Sequence, residues 1–197
     1  MSTAEERLHQ SLVPHFSQDA ADLARLFTVC LPNECTAYAD IDLPLEAKNE
    51  GLLTAFEERA LIPVQNRPSP SWSACGLRLT PDETYFFPRV VRILLQKAQE
   101  EGSLAPEQAV LDVLTACSNR DPAPMASLLA LIKNHARSFK VEAGLLHNLI
   151  QAQELDLDLH ATMDLYVLAG LMSPWTGSSV ASGLAWFEVN PCLFWEQ

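Results

Sequence analysis

Asp156, Asp158, His160 and Asp164 follow one another as Asp-x-Asp-x-His-x3-Asp, the most metal-like spacing in the chain. His160 and Asp164 are four apart and so share a helical face. Such a pair with flanking carboxylates suits a divalent ion. Capping explains the same residues better. Asp158 is a good helix N-cap, acids near a helix start complement its dipole, and Leu155, Leu157 and Leu159 are free to pack. No metal or cofactor is therefore assigned, and no stoichiometric transition metal is expected. Residues 177–183 read Gly-Ser-Ser-Val-Ala-Ser-Gly and lack the Gly-x-Ser-x-Gly spacing of a nucleophile elbow. Phosphate-loop and dinucleotide fingerprints are absent too. Neither a Ser/His/Asp nor a Cys/His set can be assembled, so no catalytic residue is named.

His135 and His147 have apolar neighbours and read as partly buried residues rather than ligands. The five cysteines, Cys30, Cys35, Cys75, Cys117 and Cys192, are odd in number, widely spaced and without a CxxC pair. Buried thiols in a reducing compartment account for them. The first residues carry neither a basic nor an apolar leader pattern, and the apolar run Leu165–Met172 is far too short to span a bilayer. The expected location is the cytoplasm.

These residues need elements to position them. A chain of 197 residues with 48% apolar composition has enough for a core. Its formal charge of -12 repels phosphate backbones and anionic lipid at long range. Apolar spacing predicts helices over 19–31 and about 45–60. Leu61–Gln65 and Cys75–Leu79 read as strands joined by a loop rich in Pro and Ser. Thr80-Pro81-Asp82-Glu83 reads as a helix start, interrupted by Pro88 and renewed to about Glu101, where Gly102 stops it. The second half reads as helical throughout: from Pro106, from Asp121-Pro122, over Lys140–Gln153, and from Asp158 to Met172. The N-terminus is weakly patterned, and no internal repeat is visible. The expected class is mainly α with a small β-hairpin.

Residues 50–83 run as helix, Glu58-Arg59-Ala60-Leu61-Ile62, hairpin, then Leu77-Arg78-Leu79-Thr80-Pro81-Asp82-Glu83. This order resembles winged helix-turn-helix domains, in which a recognition helix often ends in Gly-Leu-Ile and the wing's return strand in Tyr-x-Leu-Thr-x-x-Gly. Ala60 and Glu83 stand where those patterns have glycine. The resemblance implies a winged-helix-like domain over 1–88, followed by a helical domain over 89–173 and an aromatic tail over 174–197. It also implies a helix able to enter the major groove. That helix carries Glu46, Glu50, Glu57 and Glu58, which disfavour phosphate.

Basic residues cluster elsewhere. Six of them lie between Arg59 and Lys97 against two acids, and no Lys or Arg follows Lys140. Arg67, Arg78, Arg89 and Arg92 are the candidate contacts for an anion or nucleic acid. The tail supplies Trp175, Trp186, Phe187, Phe194 and Trp195, rings suited either to covering the chain's own core or to docking on a partner or a second copy. The leading expectation is a non-catalytic interaction adaptor or regulator with a protein partner, possible as a homodimer. The alternative is a nucleic-acid-binding regulator using the basic stretch; a small enzyme comes third.

Overall fold

A computed structural model describes residues 3–64, 71–175 and 185–195. The chain is mainly α with two small antiparallel sheets. α1 (Ala4–Phe16) starts on a capping box between Thr3 and Glu6 and buries Leu8 and Leu12. It packs across α2 (Ala20–Cys30) and α4 (Arg89–Glu101). β1 (Cys35–Ala37), α3 (Leu45–Glu57), β2 (Ile62–Pro63) and β3 (Thr84–Phe86) complete the first half. α5 (Pro106–Cys117) leads to α6 (Ala123–His135), β4 (Lys140–Glu142), α7 (Ala143–Ala152), α8 (Leu159–Ala169), β5 (Met172–Trp175) and β6 (Trp186–Val189). One apolar cluster runs through both halves, from Leu8 and Phe27 to Leu128, Tyr166 and Leu193.

Each half contains the same topology. A helix leads into a first strand, one or two helices follow, and two further strands close a sheet. In both sheets the last strand is central: the order is β1-β3-β2 in the first and β4-β6-β5 in the second. The repeat escapes the sequence because it consists of topology, not shared residues. The two helices that precede the second strand also end alike. Arg59 and Gly170 are left-handed, with φ of 56° and 75°. The next N–H reaches back five residues, Ala60 to Ala55 and Leu171 to Tyr166. This is the Schellman ending of a helix.

Several expectations change. Cys75–Leu79 is not a strand, and the strand that pairs with β2 is Thr84–Phe86. Tyr85 and Phe86 are strong strand formers, and Tyr85 is buried with its hydroxyl donating to the Arg78 carbonyl. Thr80–Glu83 is accordingly a turn, closed by Glu83 N–H to Thr80 O at 3.0 Å, not a helix start. With Pro88 only five residues beyond Glu83, a helix there has no room. The second half is not helical throughout: Lys140–Glu142 is a strand against Trp186–Glu188, and Gly170 ends α8 before Met172. The stretch read as a tail from 174 contains the end of β5 and all of β6, two of the three strands of the second sheet. Ala60 needs no glycine, because the left-handed residue is Arg59.

Gly170 is held by geometry as well as by φ. A Cβ there would lie 2.5 Å from the Pro88 Cβ, where the end of α8 meets the start of α4. Gly170→Ala should therefore destabilise the fold by about 2–4 kcal/mol, from left-handed strain plus overpacking. Urea denaturation of the two proteins measures this; a loss under about 0.5 kcal/mol would show that the helices part easily here.

Candidate functional site

The end of α3 is where the two halves grip each other. Arg59 Nε donates to Glu188 Oε1 at 3.0 Å, with side chains 16% and 9% exposed. Its Nη1 returns to the Phe56 carbonyl at 3.0 Å, and its guanidinium lies over the Phe56 ring. Asn190, fully buried, donates to the carbonyls of both left-handed residues: Gly170 at 3.2 Å and Arg59 at 3.4 Å. Its own Oδ1 accepts from Cys192 N–H at 3.0 Å. Cys192 Sγ and Trp195 Nε1 then donate to the carbonyl and the carboxylate of Glu58. Burial, helped by the Glu58 charge, raises the Cys192 thiol well above its ordinary value, so it is a donor and not a nucleophile.

Beside this junction, α4, β1, β3, α8 and β5 enclose a cleft of about 780 Å³. Cys35, Phe86, Phe87, Arg89, Leu168 and Met172 are among its walls. Arg89 is exposed and touches the Cys117 sulfur at 3.4 Å. Arg92 is committed internally: it donates to the carbonyls of Leu31, Asn33 and Glu34 past the end of α2 and lies over Phe87. The candidate anion contacts are thus divided. Arg89 and Arg92 share one cleft, Arg78 is exposed on the irregular stretch before β3, and Arg67 lies outside the described residues. Arg59 serves Glu188, and Lys97 pairs with Asp112.

The outward stripes of α3 and α8 match. Counted back from Arg59 and Gly170, the exposed positions are Glu57, Leu53 and Glu50 on one helix and Leu168, Asp164 and Ala161 on the other. Neither stripe has a cation. Leu45 is 66% exposed, Leu53 47% and Leu168 52%. Lys48, on the flank of α3, lies over the Tyr38 ring at 4.6 Å.

The metal-like residues do not converge. Asp158 Oδ1 accepts from Ala161 N–H at 2.7 Å and caps α8, while Asp156, His160 and Asp164 are exposed. Among the described residues no group of three His, Cys, Asp or Glu side chains could hold a metal ion. His135 and His147 are exposed rather than partly buried. Cys35 is exposed, Cys30 and Cys192 are buried, and all five thiols are free. Residues 177–183 lie outside the described residues. No helix among the described residues is long and apolar enough to cross a membrane.

The aromatic residues near the C-terminus divide too. Trp195 is buried, edge-on to Phe16 at 5.0 Å and stacked on His15. Phe194 meets Phe139 at 5.1 Å, and Trp175 lies under the Lys140 ammonium. Trp175, Trp186, Phe187 and Phe194 keep part of their surface in solvent. The sequence missed the Arg59–Glu188–Asn190 junction altogether. Its only signal was an Arg two residues past a helix end, which no periodicity marks.

Residues 16–197 match the model of one uncharacterised protein family. The chain belongs to that family. No curated protein and no solved structure matches it. The family match starts inside α1 and runs through both topological halves, so the junction at Arg59, Glu188 and Asn190 lies wholly within it.

Two measurements probe the junction. Arg59→Ala leaves Glu188 buried without its cation and should cost about 2–4 kcal/mol. Arg59→Gly loses the same ion pair but relieves the left-handed strain, so it should be more stable than Arg59→Ala by about 1 kcal/mol. Equal stability of the two in urea would mean that residue 59 carries no strain. His15 gives a pH signature. Burial lowers its pKa from 6.5, outweighing the nearby Glu58 charge. Below 6.5 the unfolded chain then binds a proton that the folded chain resists, so stability is full above that pH and falls as the pH drops through it. Unfolding at pH 7.5 and 5.5 should show a smaller acid loss for His15→Phe than for the parent; an unchanged loss would assign it to carboxylates.

Proposed function

We propose that the chain is a non-catalytic protein-interaction adaptor built on two winged-helix-like modules. Helix, strand, helix, and a closing pair of strands with the last one central support that scaffold in both halves. α3 and α8 stand where the resemblance puts a recognition helix. The observation that carries the functional reading is the chemistry of their outward stripes. Glutamates, an aspartate and exposed leucines replace the Arg, Lys and Asn that reading DNA requires. With a net charge of -12, the approach to phosphate is repulsive as well.

The alternative, nucleic-acid binding through the basic stretch, draws support from the exposed Arg78 and Arg89. It is weakened by Arg92, Arg59 and Lys97, whose charges are already engaged inside the chain. A homodimer through the aromatic C-terminus gains little from Trp195, which is used against Phe16, His15 and Glu58.

Duplex DNA at low salt tests the choice. The adaptor reading expects no retardation of a labelled 20–30 base-pair duplex at about 50 mM salt and micromolar protein. Binding that weakens steeply with salt and is lost in Arg78→Glu with Arg89→Glu would replace it by the nucleic-acid reading.

A further inference from the structure

We propose that the outward stripe of α3 is a docking face for a basic amphipathic helix of a partner protein. This rests on the adaptor reading and adds the chemistry of the partner. The inward side of α3 is Gly51, Leu52 and Ala55, all buried. The outward side is Leu45, Glu46, Glu50, Leu53 and Glu57, all exposed, with the exposed Asp42 just before the helix. An ordinary solvated face would alternate charge signs and hold few large apolar groups. This one has a single sign and two leucines. Leu45 is the most exposed large apolar side chain among the described residues.

The neighbouring cations do not neutralise the stripe. Lys48 sits over Tyr38 and reaches its carbonyl, and Arg59 is turned into Glu188. Glu58 is turned the other way, onto Trp195. Glu46, Glu50 and Glu57 therefore face solvent without an intramolecular ion pair among the described residues. Leu45 and Leu53 are eight residues apart, about 12 Å along the axis and about 80° around it, and both lie on the same side of the glutamate row. Apolar residues seven or eight apart on a partner helix meet that spacing, and Lys or Arg on its flanks meet the glutamates. A second copy of this chain does not fit: α3 against α3 sets glutamates against glutamates. Phosphate and anionic lipid are repelled by the same charges.

The probe is an 18-residue helical peptide of Leu and Lys with its leucines on one face, read by fluorescence anisotropy. A Leu/Glu peptide of identical pattern is the control. The full chain should bind the Leu/Lys peptide and not the Leu/Glu one. Glu46→Lys with Glu50→Lys and Glu57→Lys should weaken binding tenfold or more. Glu100→Lys with Glu101→Lys and Glu107→Lys changes net charge equally on other exposed helix positions and should leave affinity within about twofold. Leu53→Asp is decisive, because it adds attraction for a cationic peptide while removing an anchor. Docking predicts about a tenfold loss; general charge attraction predicts a gain. Circular dichroism confirms that each exposed-site variant is folded. Absence of peptide binding, equal loss in the two triple variants, or a gain in Leu53→Asp would overturn this partner chemistry while leaving the adaptor reading to the DNA experiment.

Discussion

Arg59 holds a left-handed backbone that costs an L-residue about 1–2 kcal/mol, and the contacts that hold it there are the ones that join the two halves. Its carbonyl is turned toward Asn190 and its guanidinium toward Glu188, both from the second sheet and the turn after it. A right-handed residue at this position would continue α3 and point both groups elsewhere. The conformation is over-determined: the ion pair, the return bond to Phe56 and the Ala60-to-Ala55 bond all require it. Asn190 extends the constraint to Gly170, so the ends of α3 and α8 are pinned by one buried amide. Around that amide, the close approach of Gly170 to Pro88 seats α8 against the start of α4. Trp72 N–H to Ser173 Oγ at 2.9 Å adds a second strap between the halves.

The long helices were legible because several independent signals coincide in them. α4 has an unbroken apolar face from Val90 to Ala98, a proline before it and a left-handed glycine after it. α5 opens on Pro106 in the same way. Apart from Ile62-Pro63, which lies inside the stretch Leu61–Gln65 read as a strand, the strands were not legible, because two to four residues leave no room for a period to show. Ile62-Pro63 is a strand only because Phe86 and Tyr85 lie opposite. Lys140–Glu142 continues a helical pattern in sequence, and its pairing with β6 overrides that local preference. The first helix carried a readable signal in Thr3-x-x-Glu6 ahead of Leu8 and Leu12, masked by Pro14 and the polar residues around it. The junction was invisible for a different reason. Arg59 is more than 100 residues from Glu188 and Asn190, and each is unremarkable locally: an Arg, a Glu and an Asn in a chain with many polar residues.

The charges separate by use. Among the basic residues, Arg92 closes the exposed carbonyls past α2, Arg59 neutralises a buried carboxylate, and Lys97 pairs with Asp112 across α4 and α5. These cations are consumed in holding the fold. Many of the acids are left outside, since each is cheap to solvate and keeps like chains apart. Arg25, Arg78, Arg89, Arg120 and Arg137 remain exposed among a larger number of exposed acids.

The two halves reach one geometry by different chemistry, and the differences fall where each half meets something else. The helix ending needs a left-handed residue. Gly170 supplies it without strain, and it must be small because Pro88 is against it. Arg59 supplies it with strain and uses the side chain that glycine lacks to hold Glu188. At the residue five before the next N–H, Tyr166 fills the space toward α6 and donates to the Met125 carbonyl at 2.6 Å, while Ala55 is a small buried residue on the inward side of α3. Gly51 follows the same logic, since a Cβ there would lie 3.3 Å from the Leu26 side chain. The positions that differ most face the other half or their own packed neighbours. The outward stripes instead share their position on each helix, their exposure and their lack of cations. The inward residues of the two halves lock onto each other through Arg59, Glu188 and Asn190, and the outward stripes of α3 and α8 stay exposed.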